Sequence, residues 1–189
     1  MTWLFVESGL EFTFTGAVDV EKLDGQERGA PHPPGKVVDF VVEEAARMLL
    51  IEVKNPSASG VDKDPRPSER RTTERTKRRG NELINAELVP KARGSYTYLH
   101  LMARDTKPFM FVLVDDVSAL GPELADLEPF RERLAERLRH ESGVRDAWKR
   151  EYVASCVVVT PETWPSAFPS YSLRRLSEGQ VAPDNSDAT

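Results

Sequence analysis

A chain of 189 residues, 39% hydrophobic and 30% charged, is the size of one domain with a real core, and no stretch is long and apolar enough to cross a bilayer. Its net charge of −5 hides an uneven distribution: residues 66–93 carry nine Lys or Arg against four Glu, so an acidic body bears one basic segment able to hold phosphate locally. The single cysteine, Cys156, excludes an internal disulfide, fits a reducing cytoplasm and sits in an apolar run as an inert core residue.

The N-terminal MTWLFVESGLEF lacks the basic region and apolar run of a secretion signal. Residues 3–24 read as β-structure. Leu10, Phe12 and Phe14 alternate with Glu11, Thr13 and Thr15, the period of a half-buried strand, and Gly16 marks a bend. Asp19, Glu21 and Asp24 read as solvent-facing. Residues 25–35, GQERGAPHPPG, form a loop by composition, and His32 within it reads as exposed. No His/Cys spacing of a zinc site occurs in the chain. Nor is there a nucleotide-binding Gly-rich loop, a Ser-His-Asp arrangement, a repeat or a heptad run.

The stretch Lys36–Asn55, KVVDFVVEEAARMLLIEVKN, reads as two apolar strands joined by a tight turn. Alternation places Val37, Asp39 and Val41 on one face and Val38, Phe40 and Val42 on the other. In the second strand Leu50, Glu52 and Lys54 share a face. With the turn centred on Ala45-Ala46, paired positions sum to 91, so Val42 faces Leu49 and Asp39 faces Glu52. Carboxylates held about 5 Å apart beside apolar neighbours repel and demand a proton or a cation between them. A hard divalent ion such as Mg²⁺ answers that demand with oxygen ligands, and Lys54 would sit beside it. The competing reading is a solvated Glu52–Lys54 pair with Asp39 nearby; Val37, Val41 and Leu50 on the same face argue for cover.

Asp39 on one strand, followed by Glu52-Val53-Lys54 on the next, resembles the signature of the PD-(D/E)XK nuclease superfamily, and the order of elements fits over roughly residues 10–160. The resemblance implies that Asp39, Glu52 and the backbone carbonyl of Val53 hold Mg²⁺, with Mn²⁺ able to substitute, and that Lys54 orients or activates the attacking water. In many members of that superfamily a further acidic ligand lies near the N-terminus; Glu7 and Glu11 are the candidates, with plain surface charge the competing reading of both. The bare Glu-X-Lys pattern is common in strands; the paired apolar strands and the 12-residue gap give it weight.

After the hairpin, Pro and Gly prevent regular structure, and residues 56–80 read as a basic loop or arm. Arg66, Arg70, Arg71, Arg75, Lys77, Arg78 and Arg79 read either as a mobile arm or weak helix that clamps a phosphate backbone, with salt-dependent binding, or equally as a solvated, partly disordered loop. A helix follows from about Asn81 to Arg104, kinked or reopened at Pro90, with Ala92, Tyr96, Leu99 and Ala103 facing the sheet. Lys91 is the nearest equivalent of a helical Lys or Gln in some branches of the superfamily, though Pro90 departs from the pattern; Lys91 and Arg93 are read as phosphate contacts.

FMFVLVDDV reads as a central strand ended by Asp115 and Asp116. Asp126 caps a helix carrying Leu127, Phe130, Leu134 and Leu138 on one stripe, and His140 near its end suits the helix dipole. YVASCVVVT is a last buried strand. PETWPSAFPSYSLRRL wraps over the surface, and residues 177–189 are a disordered tail.

The expected architecture is one α/β domain over residues 1–176, a central mixed sheet of about five strands with helices on both sides, restriction-endonuclease-like if the resemblance holds. The expected function is Mg²⁺-dependent hydrolysis of phosphodiester bonds with DNA as partner, in bacterial defence by analogy with the superfamily. A catalytically silent DNA-binding or assembly subunit of a larger complex is the alternative, and a homodimer is compatible with either.

Overall fold

The apolar run in Thr2–Glu7 (β1) and the alternating Leu10–Thr15 (β2) make an antiparallel hairpin, with Glu7 opposite Leu10. Its two-residue turn, Ser8-Gly9, takes positive φ at both positions (51° and 75°), the geometry that matches strand twist and favours glycine. The structure is a computed structural model described over residues 1–24, 33, 35–56, 67–117, 127–139 and 151–176, with 67–71 described as backbone alone. Expectations for Arg66, His32, Asp126, His140 and residues 177–189 fall outside the described residues.

Five strands form the central sheet in the order β3-β4-β5-β6-β7: β3 is Asp19–Lys22, β4 Phe40–Glu43, β5 Met48–Lys54, β6 Phe109–Asp115 and β7 Ser155–Val159. The first three run antiparallel, while β6 and β7 lie parallel to β5. The β4–β5 hairpin has the expected register, Val42 opposite Leu49 and Phe40 opposite Ile51. Its turn closes through the Glu44 N–H on the Arg47 carbonyl at 2.9 Å. Parallel pairing requires crossovers. From β5 the chain returns through α1 (Pro67–Arg79), a π-helical turn (Ile84–Leu88) and α2 (Val89–Leu101); from β6 it returns through α3 (Glu128–Arg139).

The sheet separates two apolar clusters. On one face Leu50, Phe111 and Leu113 pack against Ile84, Leu88, Ala92 and Leu99 and against Phe130, Leu134 and Leu138. On the other, Phe40, Leu49, Ile51, Val112 and Val114 pack against Leu10, Phe12 and Phe14. That second face is where expectation and structure part. It is covered by a three-stranded antiparallel sheet, β1-β2-β8, rather than by helices. The segment expected to wrap over the surface supplies the missing parts: a short helix α4 (Trp164–Ala167) and the strand β8 (Tyr171–Arg175), which pairs with β2. Trp164 and Phe168 are core residues there, and the Trp164 indole N–H donates to the Tyr171 carbonyl at 3.2 Å. Aromatic bulk outweighs the prolines that suggested a surface segment, because each such ring buries enough apolar area to contribute a few kcal/mol.

Smaller corrections concern single positions. β4 begins at Phe40, not at Val37, because the Asp39 side chain takes the Val53 N–H that a ladder carbonyl would have accepted (2.7 Å). The chain before it turns toward the helices: the Val38 N–H donates to the Ser95 hydroxyl on α2 at 2.9 Å, so Val38 joins the helix-side cluster with Val41 rather than Phe40. Ala103 lies past the end of α2 at φ 56° and is exposed, off the sheet-facing stripe. The last strand, β7, is an edge strand and mostly half-buried, not fully buried. Among the described residues no helix is long and apolar enough to cross a membrane.

Candidate functional site

β5 and β6 run parallel and finish at the same level, Lys54 beside Asp115, and the carboxyl ends of parallel strands are where α/β folds place polar chemistry. Glu52, one pleat back on the helix-facing side, has no solvent exposure at all. Asp39, the residue before β4, is fixed against the end of β5 by its Oδ2 bond from the Val53 N–H. Both residues of the anticipated acidic pair are thus buried, and they repel: burial first, and the neighbouring Glu52 next, push the Asp39 carboxyl up to about 7. Burial also pushes Glu52 upward, against the pull of Lys91 and then Lys54.

Two ammonium groups thread between the acids. Lys91 of α2 lies 2.8 Å from Glu52 Oε1 and 2.9 Å from Oε2, and 3.6 Å from Asp39 Oδ1. Lys54 lies 3.1 Å from Glu52 Oε1 and 2.7 Å from Glu87 Oε2. The charges therefore alternate along one line: Glu87, Lys54, Glu52, Lys91, Asp39. The line holds three acids and two bases, and Lys77 and Lys36 add positive charge at its Glu87 end. Burial acts to depress Lys54, but the adjoining carboxylates outweigh it and hold the ammonium charged, well above the ordinary lysine range; Lys91 is raised in the same way.

Whether a divalent ion suits these residues turns on Glu52 Oε1. It is buried and lies 2.8 Å from the Lys91 ammonium and 3.1 Å from that of Lys54. A divalent ion on Oε1 would take the place of one of these ammonium groups. With Asp39 adjacent, the donor set is hard oxygen and fits Mg²⁺ or Mn²⁺. Side chains supply two acids of such a site: among the described residues no group of three or more His, Cys, Asp or Glu gathers to hold an ion. Of the N-terminal candidates, Glu7 contributes a weak repulsion to Asp39 and pairs with Lys22 at 2.8 Å. Glu11 sits in the three-stranded sheet, bound through both oxygens to Arg174 (2.5 and 2.9 Å).

The basic segment divides into an anchor and a surface. Arg78 is buried, bonded by Nε and Nη2 to the two oxygens of Asp115 (2.9 and 2.6 Å) and by Nη1 to Glu74 (2.7 Å). Its carbonyl accepts from Arg133 of α3 at 3.0 Å. This side chain fastens α1 to the end of β6 and is not presented to a phosphate. Arg79 is exposed; Arg75 and Lys77 are half-buried, with Lys77 close enough to Glu87 to lower that carboxyl, less than Lys54 does and against the opposing effect of burial. Arg70 and Arg71 lie on the same helix. Lys91 faces the carboxylates instead of the surface, and Arg93, on α2, is half-buried.

Glu87 and Lys36 went unread in the sequence. Glu87 stands four residues before Lys91, a spacing that in a continuous α-helix pairs the two with each other. Lys36 donates to the Ala86 carbonyl at 2.9 Å, the acceptor that Pro90, lacking an N–H, leaves open. Cys156 on β7 is half-buried, and burial pushes its thiol up to about 12. No protein-family model, curated protein or solved structure matches this chain.

Proposed function

We propose that this chain is a Mg²⁺-dependent nuclease of the PD-(D/E)XK kind, with a restriction-endonuclease-like fold, that hydrolyses phosphodiester bonds of DNA. The observation that carries the reading is the buried pairing of Asp39 with Glu52, Lys54 alongside. Two acids excluded from water lower stability unless a cation lies with them. Asp39, Glu52 and the Val53 carbonyl would hold the ion. When bound there, Mg²⁺ supplies a lowered pKa for a coordinated water and positive charge toward the phosphate.

The chain's own groups do the rest. The Val53 N–H keeps the Asp39 carboxylate turned toward Glu52. Lys54 donates hydrogen bonds to the attacking water and offsets charge on the phosphate oxygens. The water oxygen bonds to phosphorus as the bond to the leaving oxygen breaks, and that oxygen takes up a proton. Arg75, Lys77 and Arg79 would hold the flanking backbone, each neutralised phosphate releasing counterions. A cytoplasmic enzyme acting on foreign DNA fits this chemistry by analogy.

One observation favours a second reading, a catalytically silent DNA-binding or assembly subunit: Lys91 already spans both carboxylates and partly neutralises them without metal. Incubating the purified protein with plasmid and single-stranded DNA, with and without Mg²⁺ or Mn²⁺, separates the two. The nuclease reading expects metal-dependent cleavage that Asp39→Ala and Glu52→Ala abolish while binding survives. Binding without cleavage under any metal supports the silent subunit, and absence of both defeats each reading.

A further inference from the structure

The line of alternating charges ends on Glu87, a residue with a different setting from the acids it continues. Its side chain is about one-third exposed, at 32%, while that of Glu52 is at 0%, so it faces solvent at the mouth of the site rather than filling the core. It is carried by the π-helical turn Ile84–Leu88, and such turns recur at functional sites. The extra residue in that turn changes which side chains stack. Glu87 and Lys91, instead of pairing with each other, diverge to Lys54 (2.7 Å) and to Glu52 (2.8 Å). The turn is pinned from outside by Lys36 on the Ala86 carbonyl, and from inside by Ile84 and Leu88 in the core.

Lys54 thus has two carboxylate partners, and Glu87 is the nearer of them (2.7 Å against 3.1 Å for Glu52). A cation on Glu52 would compete with Lys54 for the same oxygen, Oε1. Without a second partner the ammonium would swing into solvent on its flexible four-carbon stem. We propose that Glu87 is a positioning residue: it retains the Lys54 ammonium at the rim of the carboxylate pair when Glu52 turns to a metal ion, which keeps that ammonium where the attacking water is met. This rests on the nuclease reading for the identity of the reaction, though the hold of Glu87 on Lys54 stands or falls separately.

The test begins with metal-free, ¹⁵N-labelled protein and an NMR experiment selective for lysine ammonium groups, the Lys54 signal assigned by its loss in Lys54→Arg. An ammonium held between two carboxylates exchanges slowly and gives a sharp signal. The signal is expected in the wild type, broadened or lost in Glu87→Gln, and retained in Glu87→Asp. The amide is nearly the shape of the acid, so the π-turn stays packed. In Mn²⁺-dependent cleavage, Glu87→Gln is expected to lower kcat about tenfold or more with KM little changed, as for a group that acts in the transition state, and Glu87→Asp to recover part of the loss. A Lys54 signal unaltered in Glu87→Gln, or an unaltered kcat, overturns the proposal. A Glu87-dependent Lys54 signal in a chain that cuts no phosphodiester would sustain the positioning role and defeat the nuclease reading.

Discussion

Replacing Asp39 by Asn should make the metal-free protein more stable at pH 8, although it removes a residue central to the site. Burial and the adjacent Glu52 push the Asp39 carboxyl up to about 7 in the fold, against about 3.9 in an unfolded chain. Between those values the native state keeps a proton that the unfolded state has released. The contribution of this group to stability is therefore complete below about pH 4 and is lost as pH rises through about 7. At about 1.4 kcal/mol for each pH unit of that window, the loss comes to about 4 kcal/mol. An amide at this position stays neutral and still accepts the Val53 N–H, so the variant escapes the loss. Urea unfolding in EDTA, followed by tryptophan fluorescence with the fully buried Trp164 among the reporters, measures it at pH 5 and pH 8. Wild type should weaken toward pH 8 and recover on adding Mg²⁺. Asp39→Asn should change little with pH or metal and exceed wild type at pH 8 in EDTA by about 2–4 kcal/mol. A variant weaker than wild type at pH 8 in EDTA would show that Lys91 and Lys54 already satisfy the acids, and the argument for a missing cation would fail.

The anchor and surface roles within α1 predict opposite outcomes for neighbouring arginines: Arg78→Ala strands the buried Asp115 and should cost about 3–5 kcal/mol, while Arg79→Ala, at an exposed position, should stay within about 0.5 kcal/mol, both read by denaturant unfolding. In DNA binding, Arg79→Ala should reduce the salt slope by about one where it contacts a phosphate. Lys91→Met removes the one ammonium that spans both carboxylates; it should destabilise the protein at pH 8 far more than at pH 5, since at pH 5 Asp39 is protonated, and thermal melts at the two pH values check this. Trp164→Ala, in the cluster between the two sheets, should cost about 3–5 kcal/mol by the same unfolding assay.

Most of the sheet was legible because its signals are local. Alternation in Leu10–Thr15, the apolar run FMFVLVD and the short polar turn at Ala45-Ala46 each specify an element without reference to the rest of the chain. The covering layer was not legible, for a reason that can be named. Proline in WPSAFPSYS signals a break in regular structure, but says nothing about whether the aromatics between the breaks are buried. That depended on an apolar surface on β2, more than 150 residues earlier in the chain, which has no local trace at Trp164. Arg78 illustrates the same limit. In a run of seven basic residues nothing distinguishes the one whose partner, Asp115, ends a strand 37 positions later.

Half of the site could be read, because the turn fixes the β4–β5 register and so sets Asp39, one residue before β4, near Glu52. The other half arrives on a helix whose placement over the sheet no spacing rule dictates, and Pro90 disguised it further by suggesting a kink where the chain continues through a π-turn. The half supplied by the helix is what gives the acids their meaning. Asp39 and Glu52 alone would read as an empty divalent site. With Lys91 and Lys54 they form a site already partly neutralised, in which a metal ion must displace an ammonium from Glu52 in order to bind. That competition sets a physical condition on the proposed chemistry. Metal affinity should strengthen when Lys91 is replaced by a neutral side chain, and Mn²⁺ titration of Lys91→Met by calorimetry reads it directly. Tighter binding than wild type would mean that Lys91 guards the site, and weaker binding or none would mean that the ammonium is itself the only cation this pair was built to hold.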